Sequence, residues 1–137
     1  MSRKAIGDLN VGDKYEGDTR IVTGTELDMF CTIAGLRLDA FLNDETAKEL
    51  GFKGRVVPGS FIFALVFGLL GEQLEGHIHV GTNNMKVLTP LYPYDRFRVE
   101  GEILNKKEAS KGDRVFVTWS WAVKNQDDVV ISQGENT

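Results

Sequence analysis

The sequence predicts an α+β fold in which an antiparallel sheet wraps around one long, central hydrophobic helix. Two observations carry this. The stretch from Phe61 to Leu70 is apolar on nearly every side of a helix, so it demands cover on nearly every side. The half of the chain after it alternates apolar and polar residues in runs broken by turn signals, the period of half-buried strands. A greasy helix and a one-faced sheet satisfy each other when the sheet lies on the helix.

The bulk properties narrow the function classes. With 137 residues, the chain has the common size of one domain and is expected to be one, residues 1–12 forming a loosely held lead-in. Its net charge is −4, and its Lys and Arg are scattered rather than striped, which argues against nucleic acid as a partner. Cys31 is the sole cysteine, so an intrachain disulfide is excluded, a reducing cytoplasm fits, and the thiol is expected to serve as a small buried hydrophobe. No apolar run follows the charges at the N-terminus, so no signal peptide is expected. The longest apolar stretch is far short of the ~20 residues that span a bilayer, so no membrane partner is expected.

The elements follow in order. Residues 13–22 read as a first strand weakened by Gly17. Thr23-Gly24-Thr25-Glu26 fits a capping box, and a helix should follow with Leu27, Phe30, Cys31 and Ala34 on one face and Gly35 as its stop. Residues 36–42 match neither period and read as a buried connector. Asn43-Asp44 can cap a short helix through Leu50, closed by Gly51, and residues 51–59 form a glycine-punctuated loop. Ser60 offers an N-cap for the central helix, which the pattern carries to Glu75. Gly68 and Gly71 weaken that helix, and close approach of the sheet is the expected compensation. Residues 77–89 change apolar parity near Gly81, as a β-bulge would produce. After a turn at residues 90–95, strands are expected at 96–104, 114–124 and 129–132. Ser110-Lys111-Gly112-Asp113 and residues 125–128 make the turns between them.

The segment NDETAKELGFKGRVVPGSFIFALVFGLLG, residues 43–71, resembles the core of the MaoC-like acyl-CoA hydratases, whose sequences run D-E-x-x-A-K-x-x-G-F-x-x-R-I-x-H-G-M before an apolar helix. Glu45, Ala47, Lys48, Gly51, Phe52, Gly54, Arg55 and Gly59 stand in the matching places. TGTELDMF upstream and GTNNMKVLTPLYPYDRFRVEGEI downstream extend the resemblance over roughly residues 12–135. It implies the hotdog fold, a dimer in which two sheets join, and an acyl-CoA thioester ligand, with coenzyme A entering only as part of that ligand and no separate cofactor.

The resemblance breaks where the family's chemistry lies. Before this core the family reads G-D-x-N-P-x-H-x-D, and its Asp and His act as general base and acid. Here Leu36 replaces the Asp, Leu38 the Asn, Asp39 the Pro and Phe41 the His. Leucine and phenylalanine carry no proton, so no catalytic residue follows from the family motif. Asp39, between the lost positions, is the candidate substitute base or simply a turn carboxylate. Gly59 and Ser60 stand where backbone N–H groups hold the thioester carbonyl oxygen in the family; a turn and helix cap is the plainer role. Leu36, Leu38 and Phe41 are expected to give the ligand an apolar wall.

Other polar residues read more plainly. Asp44 and Glu45 open a helix, where the dipole favours carboxylates. His77 and His79 would share a strand face, but a metal needs a third ligand, so no metal site is expected. Asn83-Asn84 suits a solvent-facing pair, a bulge or a pocket lining. Trp119 and Trp121 suit a core or a subunit contact. Three functions remain open: a hydro-lyase with recruited acid and base; an acyl-thioester binder, or a subunit pairing with a catalytic MaoC-like chain, so that homodimer and heterodimer are both expected forms; and a hotdog thioesterase. The last generally needs a carboxylate on or near the central helix, and residues 61–70 contain none.

Overall fold

A computed structural model describes residues 4–71, 74, 75 and 77–137. The sheet has five antiparallel strands in the order β2 (Lys14–Glu16), β5 (Arg98–Glu108), β6 (Val115–Lys124), β7 (Val130–Asn136) and β4 (Thr82–Val87). The central helix α4 (Gly59–Gly71) lies against its inner face. Two further strands, β1 (Lys4–Ala5) and β3 (Leu74–Glu75), pair in parallel, so the central helix, described as Gly59–Gly71, does not run on to Glu75 as expected. The lead-in also has more structure than its sequence suggests. Leu9 is buried in the core, and Gly12 donates its N–H to the Ile103 carbonyl.

The first strand keeps pairing for only three residues, because Gly17 interrupts it. The ladder continues as separate bonds, from Gly17 N–H to the Val99 carbonyl and between Arg20 and Phe97. Helix α1 (Gly24–Ala34) begins as expected. Thr23 and Glu26 exchange both capping-box hydrogen bonds, and Gly35 closes the helix at φ +69°. The bond from Thr23 N–H, helped by Arg20, holds the Glu26 carboxyl below the usual carboxylate range. The expected buried connector instead carries a one-turn helix, α2 (Asp39–Leu42), with Leu38 and Leu42 exposed. Helix α3 (Asp44–Glu49) is capped by Asn43 and followed by Gly51 at φ +96°.

Helix α4 departs from expectation in three ways. Its first residue is Gly59, and Phe61 and Ile62 both donate to the Pro58 carbonyl, so Ser60 sits inside the first turn rather than capping it. It is not enclosed all round, since Ser60, Ala64 and Gly68 are exposed. These three recur every four residues and form one stripe, and they carry little apolar surface, so the cost of leaving them uncovered is small. Nor does the sheet approach Gly68, where a Cβ would meet nothing within 4 Å. Close approach comes from the sheet's own glycines. Tyr15, Gly101, Trp121 and Gly134 face one another across four strands, and each aromatic ring lies over a glycine. A Cβ on Gly101 would sit 2.4 Å from the Tyr15 ring, and one on Gly134 2.7 Å from the Trp121 ring.

The sheet's outer face is polar and held by ion pairs. Arg98 meets Glu16 at 3.0 Å and Glu100 at 3.2 Å, and Lys124 meets Glu100 at 2.7 Å. The Lys124 contact holds the Glu100 carboxyl below its ordinary range. In the 77–89 segment the strand begins only at Thr82. The bulge falls between Asn83 and Lys86, not at Gly81, and Asn84 takes φ +55° there, a conformation asparagine tolerates. Strands β5 and β7 each run four residues beyond the expected ends, because their partner β6 continues to pair with them. Since Trp121 is fully buried and cannot swing aside, Gly134→Ala is expected to destabilise the protein by about 1–3 kcal/mol through overpacking. Urea unfolding of the variant checks this.

Candidate functional site

The N-terminus of α4 is built by a loop that the rest of the chain holds tightly. Arg55 is the clamp. Its Nε donates to the Phe41 carbonyl at 2.8 Å, its backbone N–H donates to Asp44 Oδ1 at 2.8 Å, and its guanidinium pairs with Asp28 on α1. Val56 N–H then bonds the Ala40 carbonyl, and Val57 N–H bonds the Leu91 carbonyl. Four residues after the clamp the chain enters α4 at Gly59. The positive end of the helix dipole is therefore fixed in space by α1, α2 and the turn before β5. Sequence reading had matched Arg55 to a family position but assigned it no role. The signal was an arginine flanked by glycines and valines, and only the fold shows what it ties.

At Gly59 the backbone comes close to β4. A Cβ there would sit 2.9 Å from a Val87 methyl, so glycine lets this end of the helix lie against the strand. Gly59 and Ser60 occupy the first helical turn, and neither N–H has an intraprotein acceptor among the described residues. Next to them, Phe61 stacks on Phe30 with ring centroids 4.3 Å apart. Two donors, a dipole and an apolar surround make a place where a carbonyl oxygen can be polarised.

Between α1 and α3 the chain sets apolar side chains against the core. Leu36 and Phe41 are half-buried and pack against the core, and Leu36 N–H closes α1 on the Cys31 carbonyl at 3.0 Å. Leu38 is 62% exposed and points away from the core that its two neighbours touch. Asp39 is exposed as the first residue of α2 and has no side-chain hydrogen bond or ion pair among the described residues. Asp44 is occupied in holding the Arg55 loop, and Glu45 makes a surface pair with Lys48. Cys31 is buried in the core as expected, and burial pushes its thiol up.

The histidines are not on a strand. His79 Nε2 lies 2.8 Å from the Thr82 hydroxyl and its ring sits edge-on to Phe67, at 4.9 Å between centroids. No group of three metal-ligating side chains occurs among the described residues. Trp119 and Trp121 are core residues. Two clefts lie away from Gly59. One, about 700 Å³, crosses the polar outer face along Glu102, Ser120, Ala122, Gln133 and Glu135, and Asn84 of the bulge reaches its edge. The other, about 670 Å³, opens near Phe67, His79, Val117 and Trp119. Among the described residues no helix is long and apolar enough to cross a membrane.

Comparison with known proteins bears on this arrangement. The profile of the FAS1-like, dehydratase domain region matches residues 10–133. The chain belongs to this family, within the MaoC-like hotdog proteins. A MaoC-like dehydratase from Rhodospirillum rubrum is similar in structure at TM-score 0.85 and 23% identity, covering 97% of this chain and 93% of that one. An R-hydratase from Pseudomonas aeruginosa is similar at TM-score 0.78 and 27% identity, covering 96% and 82%. The HadBC (3R-hydroxyacyl-ACP dehydratase) complex from Mycobacterium tuberculosis contains a similar chain at TM-score 0.78 and 18% identity, covering 92% and 93%. No curated protein matches this member of the FAS1-like dehydratase family in sequence.

The clamp makes a direct prediction. Arg55→Ala is expected to cost about 2 kcal/mol, because it removes a largely buried charged donor from the Phe41 carbonyl. Asp28→Asn, at the exposed end of the pair, is expected to cost less than about 1 kcal/mol. Equilibrium urea unfolding of both variants measures the difference.

Proposed function

We propose that this chain binds an acyl thioester without hydrating it by itself, the carbonyl oxygen resting on the N–H groups of Gly59 and Ser60. The observation that carries this reading is the combination of a glycine-led helix N-terminus with two free donors and an adjacent wall from which the proton carriers have gone. Hydration of an enoyl thioester requires a group to take and deliver protons within hydrogen-bonding reach. Leu36 and Phe41 supply none, and Asp39 stands exposed on α2. A thioesterase reading lacks its nucleophile or base, since α4 bears no carboxylate.

A second reading is favoured by the edges of the molecule. Strand β4 is an outer strand of the sheet, with Met85, Val87 and the following Leu88 exposed, and Val87 meets α4 at Gly59, where the uncovered Ser60–Ala64–Gly68 stripe begins. An open strand edge next to an open helix face suits a second hotdog chain, which would extend the sheet and cover the thioester site. The HadBC structure is a complex of such chains. A catalytic MaoC-like chain in that place would bring the acid and base this one lacks.

Purified chain is expected to bind butyryl-CoA with micromolar affinity by calorimetry and to leave crotonyl-CoA absorbance at the uncatalysed rate. Gly59→Val, which crowds the helix N-terminus, is expected to weaken binding at least tenfold with the fold intact by circular dichroism. Enzymatic turnover by the chain alone, or binding unaffected by Gly59→Val, contradicts the reading.

A further inference from the structure

Three buried hydrogen-bond donors belong to residues of the sheet's inner face, and none has an acceptor among the described residues: Tyr15 Oη, Trp121 Nε1 and Asn136 Nδ2. Leaving such groups unpaired costs roughly 1–3 kcal/mol each. Trp121 and Asn136 are fully buried, and burial pushes the Tyr15 phenol well above its ordinary range, so it remains a donor. The sheet register puts two of them on neighbouring strands, Trp121 on β6 and Asn136 on β7. Tyr15, Gly101, Trp121 and Gly134 form one row, and the Trp121 ring lies over Gly134 with its Nε1 3.3 Å from the position of a Cβ there. Asn136 is the next inward-facing residue of β7, about 7 Å further along the strand. Its own carbonyl oxygen is already taken by the Thr82 hydroxyl at 2.8 Å, which leaves the amide N–H groups over.

The open stripe of α4 borders the phenylalanines that cover this part of the sheet. Phe63 and Phe67 are half-buried and lie on the same side of α4 as Ser60, Ala64 and Gly68. Phe63 meets the Trp121 ring at 5.9 Å and Phe67 the Trp119 ring at 6.2 Å, and Phe67 also lines the 670 Å³ cleft with His79. From Gly59, the helix reaches Phe63 and Phe67 in about 6 and 12 Å, the reach of a medium-length acyl chain.

We propose that Trp121 Nε1 and Asn136 Nδ2 receive an uncharged acceptor oxygen at the far end of the acyl group, as in a keto-acyl thioester. This rests on the thioester reading of Gly59. The donors select the chemistry. All three are neutral, and no Lys or Arg is buried among the described residues. A carboxylate would be buried without a counter-charge, whereas a ketone or ether oxygen accepts from neutral donors at no such cost. A plain hydrocarbon end would displace any water from the donors and leave them unpaired.

The test compares octanoyl-CoA with its keto analogue carrying the carbonyl next to the terminal methyl. Calorimetry on the full chain is expected to show the keto ester binding about fivefold to tenfold tighter. The chain has two tryptophans, so its ¹⁵N–¹H spectrum holds two indole N–H signals, and Trp121→Phe assigns them. The Trp121 signal is expected to shift with the keto ester and not with the octanoyl ester, and the preference is expected to collapse in Trp121→Phe. Equal affinities with an unmoved indole signal overturn the proposal and leave the thioester reading standing, the donors then being met by water. If neither ester binds, the thioester reading has failed. Methyl hexyl ketone then decides the donor site alone: a shifted Trp121 signal keeps it, and an unmoved one overturns it.

Discussion

Helix α4 cannot meet water along most of its length, and that constraint shapes the rest of the molecule. Ile62, Leu65, Val66 and Leu70 are buried in it, each contributing roughly 1.5–3 kcal/mol relative to exposure. The sheet can cover them only if it curls closely, and its inner face is cut for that purpose. Gly101 and Gly134 give Tyr15 and Trp121 room to lie flat instead of holding the helix away. Once the helix is seated, the position of its first turn follows. Gly59 meets Val87, Arg55 ties the preceding loop to α1 and α2, and two free N–H groups face outward.

The same packing bears on the side chains at Leu36 and Phe41. A carboxylate or imidazole at the places of Leu36 and Phe41 would be half-buried against an apolar core, and unpaired polar groups are costly there. Leucine and phenylalanine turn that cost into cohesion. Catalysis needs strained, polar, partly desolvated groups; binding a carbonyl needs only the backbone. Two glycine-led amides survive replacement of the side chains around them.

Much of the fold was legible in the sequence because periodicity and caps are local. The Thr23–Glu26 box, Gly35, Gly51 and the alternation through Val115–Val123 each announce an element and its end. What was not legible depended on partners distant in the chain. The first strand shortened to Lys14–Glu16 because only β5 could say how far it pairs. The bulge moved from Gly81 to Asn83–Lys86 because register with β7 sets it, not composition. Reading the central helix as enclosed on nearly every side overlooked that Ser60, Ala64 and Gly68 are small enough to stay uncovered. Of the candidate site, Gly59, Leu36 and Phe41 were visible by resemblance to known sequences. The Arg55 clamp and the row of rings over glycines appear only when the strands are set side by side.

On the proposed reading, the first turn of α4 polarises a thioester carbonyl. Carbonyl-¹³C-labelled butyryl-CoA, titrated with the chain, reports on this directly, since hydrogen bonds from two amides draw electron density toward the oxygen. A downfield move of the bound carbonyl signal that Gly59→Val abolishes is the predicted result. A bound signal at the free-ester position would contradict it, placing the acyl group somewhere other than the helix N-terminus.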